Sequence, residues 1–81
     1  MASIINWNGR ATAALQALGA GDQARAKTAV DVQVDSQCSG WRAGQEGPIA
    51  AVQFKERRLT PTVEKSATEH NTFGVLSLMI A

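Results

Sequence analysis

The chain has 81 residues, a formal net charge of +1, one cysteine and one histidine. That length allows one domain, and the single thiol excludes an internal disulfide. One cysteine with one histidine falls short of the roughly four ligands of a structural zinc site, so neither metal nor cofactor is expected. The balanced charge does not by itself point to nucleic acid or a membrane surface.

A chain this short buries only roughly 60–65% of the surface its unfolded form exposes. With no disulfide or metal to help, a partner subunit is left as a source of extra stability. The opening residues lack the basic stretch and long apolar run of a leader. The most apolar stretch, residues 73–81, is far short of the ~20 residues of a membrane helix. An unpaired thiol, Cys38, suits a reducing compartment, so a cytoplasmic location is expected.

In chain order, residues 3–7 form a short apolar run that reads as a strand. Asn8-Gly9 marks a turn. Residues 10–18 read as a helix, with Ala11, Ala14, Leu15 and Leu18 on one face. Gly19 and Gly21 are stop signals, and Asp22 is placed to cap a second helical turn through Lys27. The next segment carries two patterns at once. Val30, Val32 and Val34 alternate with Asp31, Gln33 and Asp35, as in a half-buried strand. Ala26, Val30, Val34 and Cys38 lie four apart, as in a helix. The β-branched valines tip the reading to a strand. Helix then ends at residue 27 and a β-rich segment runs from 28 to 81.

Residues 39–48, rich in glycine and ending in Pro48, read as a loop. Residues 49–55 read as a strand. Pro61 is expected to break the chain after Thr60. Residues 62–68 form a weaker strand with Val63, Lys65 and Ala67 on one face. Residues 71–74 supply a turn, and residues 75–80 the best buried, central strand. The sum is an α+β domain spanning residues 1–81. Its N-terminal helical segment packs on a roughly four-stranded sheet, mostly antiparallel because the connections are short.

Catalytic equipment is sparse. Cys38 and His70 are a nucleophile–base pair only if a third group orients them, and no motif supplies one. Asp31 and Asp35, on a strand, would stand about 13–14 Å apart on a solvated face. Glu64 and Glu69 are scattered. The glycines of residues 40–44 lack the Lys-Ser/Thr of a phosphate loop. No catalytic, metal or cofactor residue is assigned, and a non-enzymatic role is expected.

Interface candidates are clearer. Lys55, Arg57 and Arg58, interrupted by Glu56, are the densest charge cluster. Arg42 and Lys65 could join it in space, with Trp41 as an aromatic neighbour able to stack a base. Trp7 and Trp41 sit beside turns, where aromatics either anchor an interface or cover a small core.

Ile5-Asn6-Trp7-Asn8-Gly9-Arg10, followed by an alanine-rich helix, resembles the opening of minor virion proteins of tailed phages, those of the neck and head–tail connection. A Thr-Gly-x-Leu stretch typical of those proteins after the second helix is absent here, and no binding residue carries over. The resemblance implies an assembly role and a place in a virion. The expectation is therefore a structural protein that self-associates or docks on a larger complex. The alternatives are a protein-binding or inhibitor module and, below it, nucleic-acid binding through the cluster at residues 55–58. No membrane partner is expected.

Overall fold

The computed structural model describes residues 3–81; Met1 and Ala2, where the reading for a leader begins, lie outside them. The elements are β1 (Ile4–Trp7), α1 (Gly9–Leu15), α2 (Ala20–Gln37), β2 (Glu46–Pro48), β3 (Val52–Phe54), β4 (Arg57–Lys65) and β5 (Thr72–Ile80). Two helices pack on a five-stranded mixed sheet, an α+β fold as expected. Among the described residues no helix is long and apolar enough to cross a membrane.

Asn8 is more than a turn residue. Its Oδ1 accepts the Ala11 N–H at 2.9 Å, so it caps α1 and fixes the start of the helix at Gly9. After Leu15 the chain loosens, and Gly19 opens α2. Asp22 does not cap that helix. It lies in the first turn, where a carboxylate suits the positive end of the helix dipole, and it pairs with Lys55 at 2.7 Å.

The main correction concerns residues 28–37, which are helix and not strand. No glycine or proline interrupts the chain between Gly21 and Gly40. A helix started in the alanine-rich stretch therefore propagates, each added residue contributing a hydrogen bond. The β-branched valines cost only a few tenths of a kcal/mol each in helix propensity. Against that, Ala26, Val30, Val34 and Cys38 form a stripe with no solvent exposure at all. Val32 is the residue sacrificed, at 57% exposed.

The sheet order is β1-β5-β4-β2, with β3 also on β4. The β5 strand starts earlier than expected, at Thr72, and lies between β1 and β4, but β1 pairs only with Thr72–Val75, so of the expected central residues 75–80 only Val75 has a strand on both sides. The turn expected at residues 71–74 lies instead at 66–71, ending in Asn71 at φ 54°. The β1 strand pairs with β5 in parallel, Ile5 opposite Phe73. The other pairings are antiparallel. The expected loop at 39–48 yields the short strand β2, and the expected strand at 49–55 contracts to β3.

Pro61 does not break the chain; it lies buried inside β4. Its carbonyl accepts the Ile49 N–H at 3.1 Å. In a strand the N and O of one residue face the same side, so the proline nitrogen points at the junction between β2 and β3. No ladder bond to β5 is lost there.

A bulge decides which side of β5 meets the core. Val63 pairs with Val75 but Thr62 pairs with Ser77, so Leu76 is an extra residue. Unbroken alternation would put Val75, Ser77 and Met79 on one face. With the bulge, Phe73 and Val75 are followed on the core side by Leu78 and Ile80. These pair with Lys65, Val63, Pro61 and Leu59 of β4 in turn. Leu59, Val63, Val75 and Phe73 are essentially fully buried beneath the helices, and Ile5 and Trp7 of β1 extend the same face.

Candidate interaction surface

Cys38 and His70, to which the sequence assigned no catalytic role, do not present a reactive thiol. Cys38 is buried at the end of α2, and burial pushes its thiol pKa up. His70 is exposed in the turn before β5, where its carbonyl accepts the Thr72 hydroxyl at 2.9 Å. Among the described residues no group of His, Cys, Asp or Glu side chains is placed to hold a metal.

Asp31 and Asp35 are not a solvated strand face. On α2 they stand one turn apart and reach toward β1. Asp31 Oδ1 accepts the Trp7 indole Nε1–H at 2.7 Å. Asp35 Oδ1 accepts the Ser3 hydroxyl at 2.7 Å and the Ser3 backbone N–H at 3.0 Å. Those bonds, the hydroxyl first, hold the Asp35 carboxyl below the usual aspartate range against slight desolvation. The two carboxylates stitch the N-terminal strand to the helix. Their four-residue spacing is the sequence signal for this, once residues 28–37 are read as helix.

The expected interface residues divide into separate places. Trp7 and Trp41 are half-buried and packed against the core. Arg42 is exposed in a turn where its backbone N–H donates to Gln45 Oε1. That turn is bonded to Lys65, since Gly44 N–H reaches the Lys65 carbonyl and Lys65 N–H the Gln45 carbonyl. Lys55, Arg57 and Arg58 lie at the other end of β4, about 26 Å away along a strand of this length. The structure therefore does not bring Arg42, Lys65 and Trp41 to the cluster at residues 55–58. Lys65 instead sits 5.1 Å from the Phe73 ring centre and closes that end of the core. Lys55 is committed to Asp22, while Arg57 and Arg58 are exposed on the β3–β4 hairpin.

Two surfaces remain. The first is the sheet face away from the helices, carrying Ile4, Asn6, Thr60, Thr62, Glu64, Leu76, Ser77 and Met79. Ile4 and Met79 are exposed, at 59% and 70%. The rest is largely polar, with Glu46 directly opposite Glu64, and such a composition suits water.

The second is the outer edge of β1, the end of the sheet order. Ile4 N–H bonds to the Asn71 carbonyl and Asn8 N–H to the Val75 carbonyl. In a parallel ladder only alternate residues face a given neighbour. The N–H and C=O groups of Ile5 and Trp7 therefore point away from β5. Beside this edge runs a shallow groove lined by Ser3, Ile5, Asp31, Val32 and Asp35. It combines unpaired backbone, the apolar Ile5 and Val32, and two carboxylates. Nothing in the sequence marked it, because an edge is defined only when the strands have found their order. No family model, curated protein or solved structure matches this chain.

Proposed function

We propose that this chain is a non-enzymatic assembly subunit that self-associates, or docks on a larger complex, by strand addition at the edge of β1. The observation that supports this is the outward row of Ile5 and Trp7 backbone groups beside an apolar groove. An unpaired edge is a template for another strand. Natural edges are commonly blunted by lysine, proline or a covering loop, and β1 carries no lysine or proline. The resemblance of residues 5–10 to phage connector proteins supports the same class of role. The buried, unpaired Cys38 supports the cytoplasm, or a virion assembled there, as the location.

A protein-binding or inhibitor module would use the same edge with a different occupant. Nucleic-acid binding at residues 55–58 has less support, because the half-buried Trp41 lies at the far end of β4 and cannot stack a base there.

The test is sedimentation velocity over a wide concentration range, on the wild type and on Ile5→Pro. The Ile5 nitrogen faces outward, so proline removes an exposed donor while sparing every bond to β5. Concentration-dependent growth of the wild type, weakened in Ile5→Pro, is the expected result. If both chains stay monomeric and Ile5→Pro captures the same partners as the wild type, the edge has no such role.

A further inference from the structure

The proposed assembly leaves open what lies against β1, and the distribution of charge selects an occupant. We infer that it is the opposite edge of a second copy: β3 of one molecule adds in parallel to β1 of the next, giving a head-to-tail continuous sheet. This rests on the reading of β1 as an assembly edge and goes beyond it by naming the partner and the register.

The two edges of the sheet carry opposite charge. Asp31 and Asp35 flank the β1 groove, and each uses only Oδ1 in its bonds to Trp7 and Ser3. Among the described residues, the one ion pair is Lys55–Asp22, so no lysine or arginine of those residues pairs with either carboxylate. The β3 edge is flanked by Arg57 and Arg58, neither of which has an acidic partner among the described residues, while Lys55 is neutralised by Asp22 and Glu56 sits in the same turn. A two-fold dimer of β1 against β1 would bring four carboxylates together around its axis. A two-fold dimer of β3 against β3 would bring the arginines together. Only β1 against β3 joins unlike charges, and that contact is heterologous.

Strand direction agrees. The β1 strand is parallel to β5, β4 is antiparallel to β5, and β3 is antiparallel to β4. So β1 and β3 run the same way within one molecule. A second copy shifted sideways, with its helices on the same face, presents β3 parallel to β1.

The register follows from which groups are unpaired. Arg58 exchanges both backbone bonds with Ala81, so in the hairpin Gln53 is the β3 residue whose N–H and C=O face outward. Placed opposite Asn6, Gln53 donates its N–H to the Ile5 carbonyl and accepts the Trp7 N–H. The same placement sets Arg57, on the helix side of β4, at the level of Trp7 and its partner Asp31. The rest of the β3 side is unsuited to other strands, since Pro48 has no N–H and the Ala50 N–H is taken by Gln37 Oε1 at 3.1 Å.

Edge complementation tests this. One variant loses the β3 side (Gln53→Pro with Arg57→Glu) and the other loses the β1 side (Ile5→Pro, whose ring fills the outer edge where the added strand's backbone must approach). A backbone N-methyl group at Trp7, introduced by peptide ligation, removes the donor to the Gln53 carbonyl, keeps the indole, and serves if proline perturbs folding. Far-ultraviolet circular dichroism checks that each chain is folded. In sedimentation velocity the wild type should form an open-ended concentration series that shrinks at high salt. Each variant alone should remain monomeric, and an equal mixture should form a 1:1 dimer and stop there. If either variant dimerises alone, or the mixture stays monomeric while the wild type still associates, the head-to-tail join is wrong although self-association stands. A wild type that is monomeric at every concentration overturns self-association itself.

Discussion

The two faces of the sheet differ in what a single residue is worth. On the helix side, Leu59, Val63, Phe73 and Val75 sit in close-packed surroundings without water. On the other side, Thr60, Thr62 and Glu64 come from the same strand and keep partial contact with solvent. Alternation in β4 is regular, so its odd and even residues separate cleanly. In β5 the separation depends on the bulge at Leu76. The comparison shows that a strand's sequence does not assign its faces until its register is set.

Deletions probe this most severely. Removing Leu76 leaves Val75, Leu78 and Ile80 on the core side, because the remaining residues then alternate without a bulge. The expected cost is about 1–2 kcal/mol, from lost curvature and a lost half-buried side chain. Removing Gly74 also uses up the bulge, but it does so by setting Leu76 opposite Val63 in the core and turning Val75 outward, and a larger loss of about 2–4 kcal/mol is expected. Urea unfolding of both chains checks the contrast. Equal losses would mean that the bulge does not set the phase.

Substitutions on neighbouring residues of β4 come next. Leu59→Ala should destabilise by about 2–5 kcal/mol, because it leaves a cavity under the helices. Thr60→Ala, on the open face, should stay within about 0.5 kcal/mol. Thermal unfolding of the pair tests whether the face away from the helices is as wet as its composition suggests.

The stitches between α2 and β1 are smaller. Trp7→Phe removes the indole donor from Asp31 and should cost about 1–2 kcal/mol. Asp35 gives a pH signature. Its folded pKa is lowered, so its contribution is fully present above the ordinary aspartate value of about 4 and is lost as pH falls through the depressed value. NMR signals of Ser3 and Ile4 should therefore shift in that acid range while those of Val63 and Val75 do not. Asp35→Asn should abolish the response.

The smallest effect is a gain. Glu46 and Glu64 stand directly opposite on β2 and β4, and like charges in that position repel. Glu46→Lys should add about 0.2–1 kcal/mol at low salt and less at high salt, as measured by chemical denaturation.

Much of this architecture was legible in the residues. Asn8 and the glycines bracketed α1, the Ile4-Ile5 run marked β1, and the apolar run at 75–80 fell in β5. The scarcity of thiol and imidazole was equally plain. The failures share one cause. At residues 28–37 a period of two and a spacing of four coexisted, and only the presence of a sheet to cover made the helical stripe the better burial. Pro61 looked like a breaker because its effect depends on which side of the strand lacks a neighbour. For the interaction surface, Lys55, Arg57 and Arg58 could be listed together by proximity in sequence. Ile5, Asp31, Val32 and Asp35 could not, because they meet only after β1 has paired with β5.

Composition and local pattern thus determined that this chain is a small α+β domain with helices early and strands late. Local hydrogen bonding and apolar spacing act over a few residues, and a sequence displays them directly. The tertiary structure decided the strand order, the parallel pairing of the first and last strands, the face of β5 that is buried, and the location of the unpaired edges. Those depend on contacts between residues as far apart as Ile4 and Thr72, whose relation no local pattern encodes.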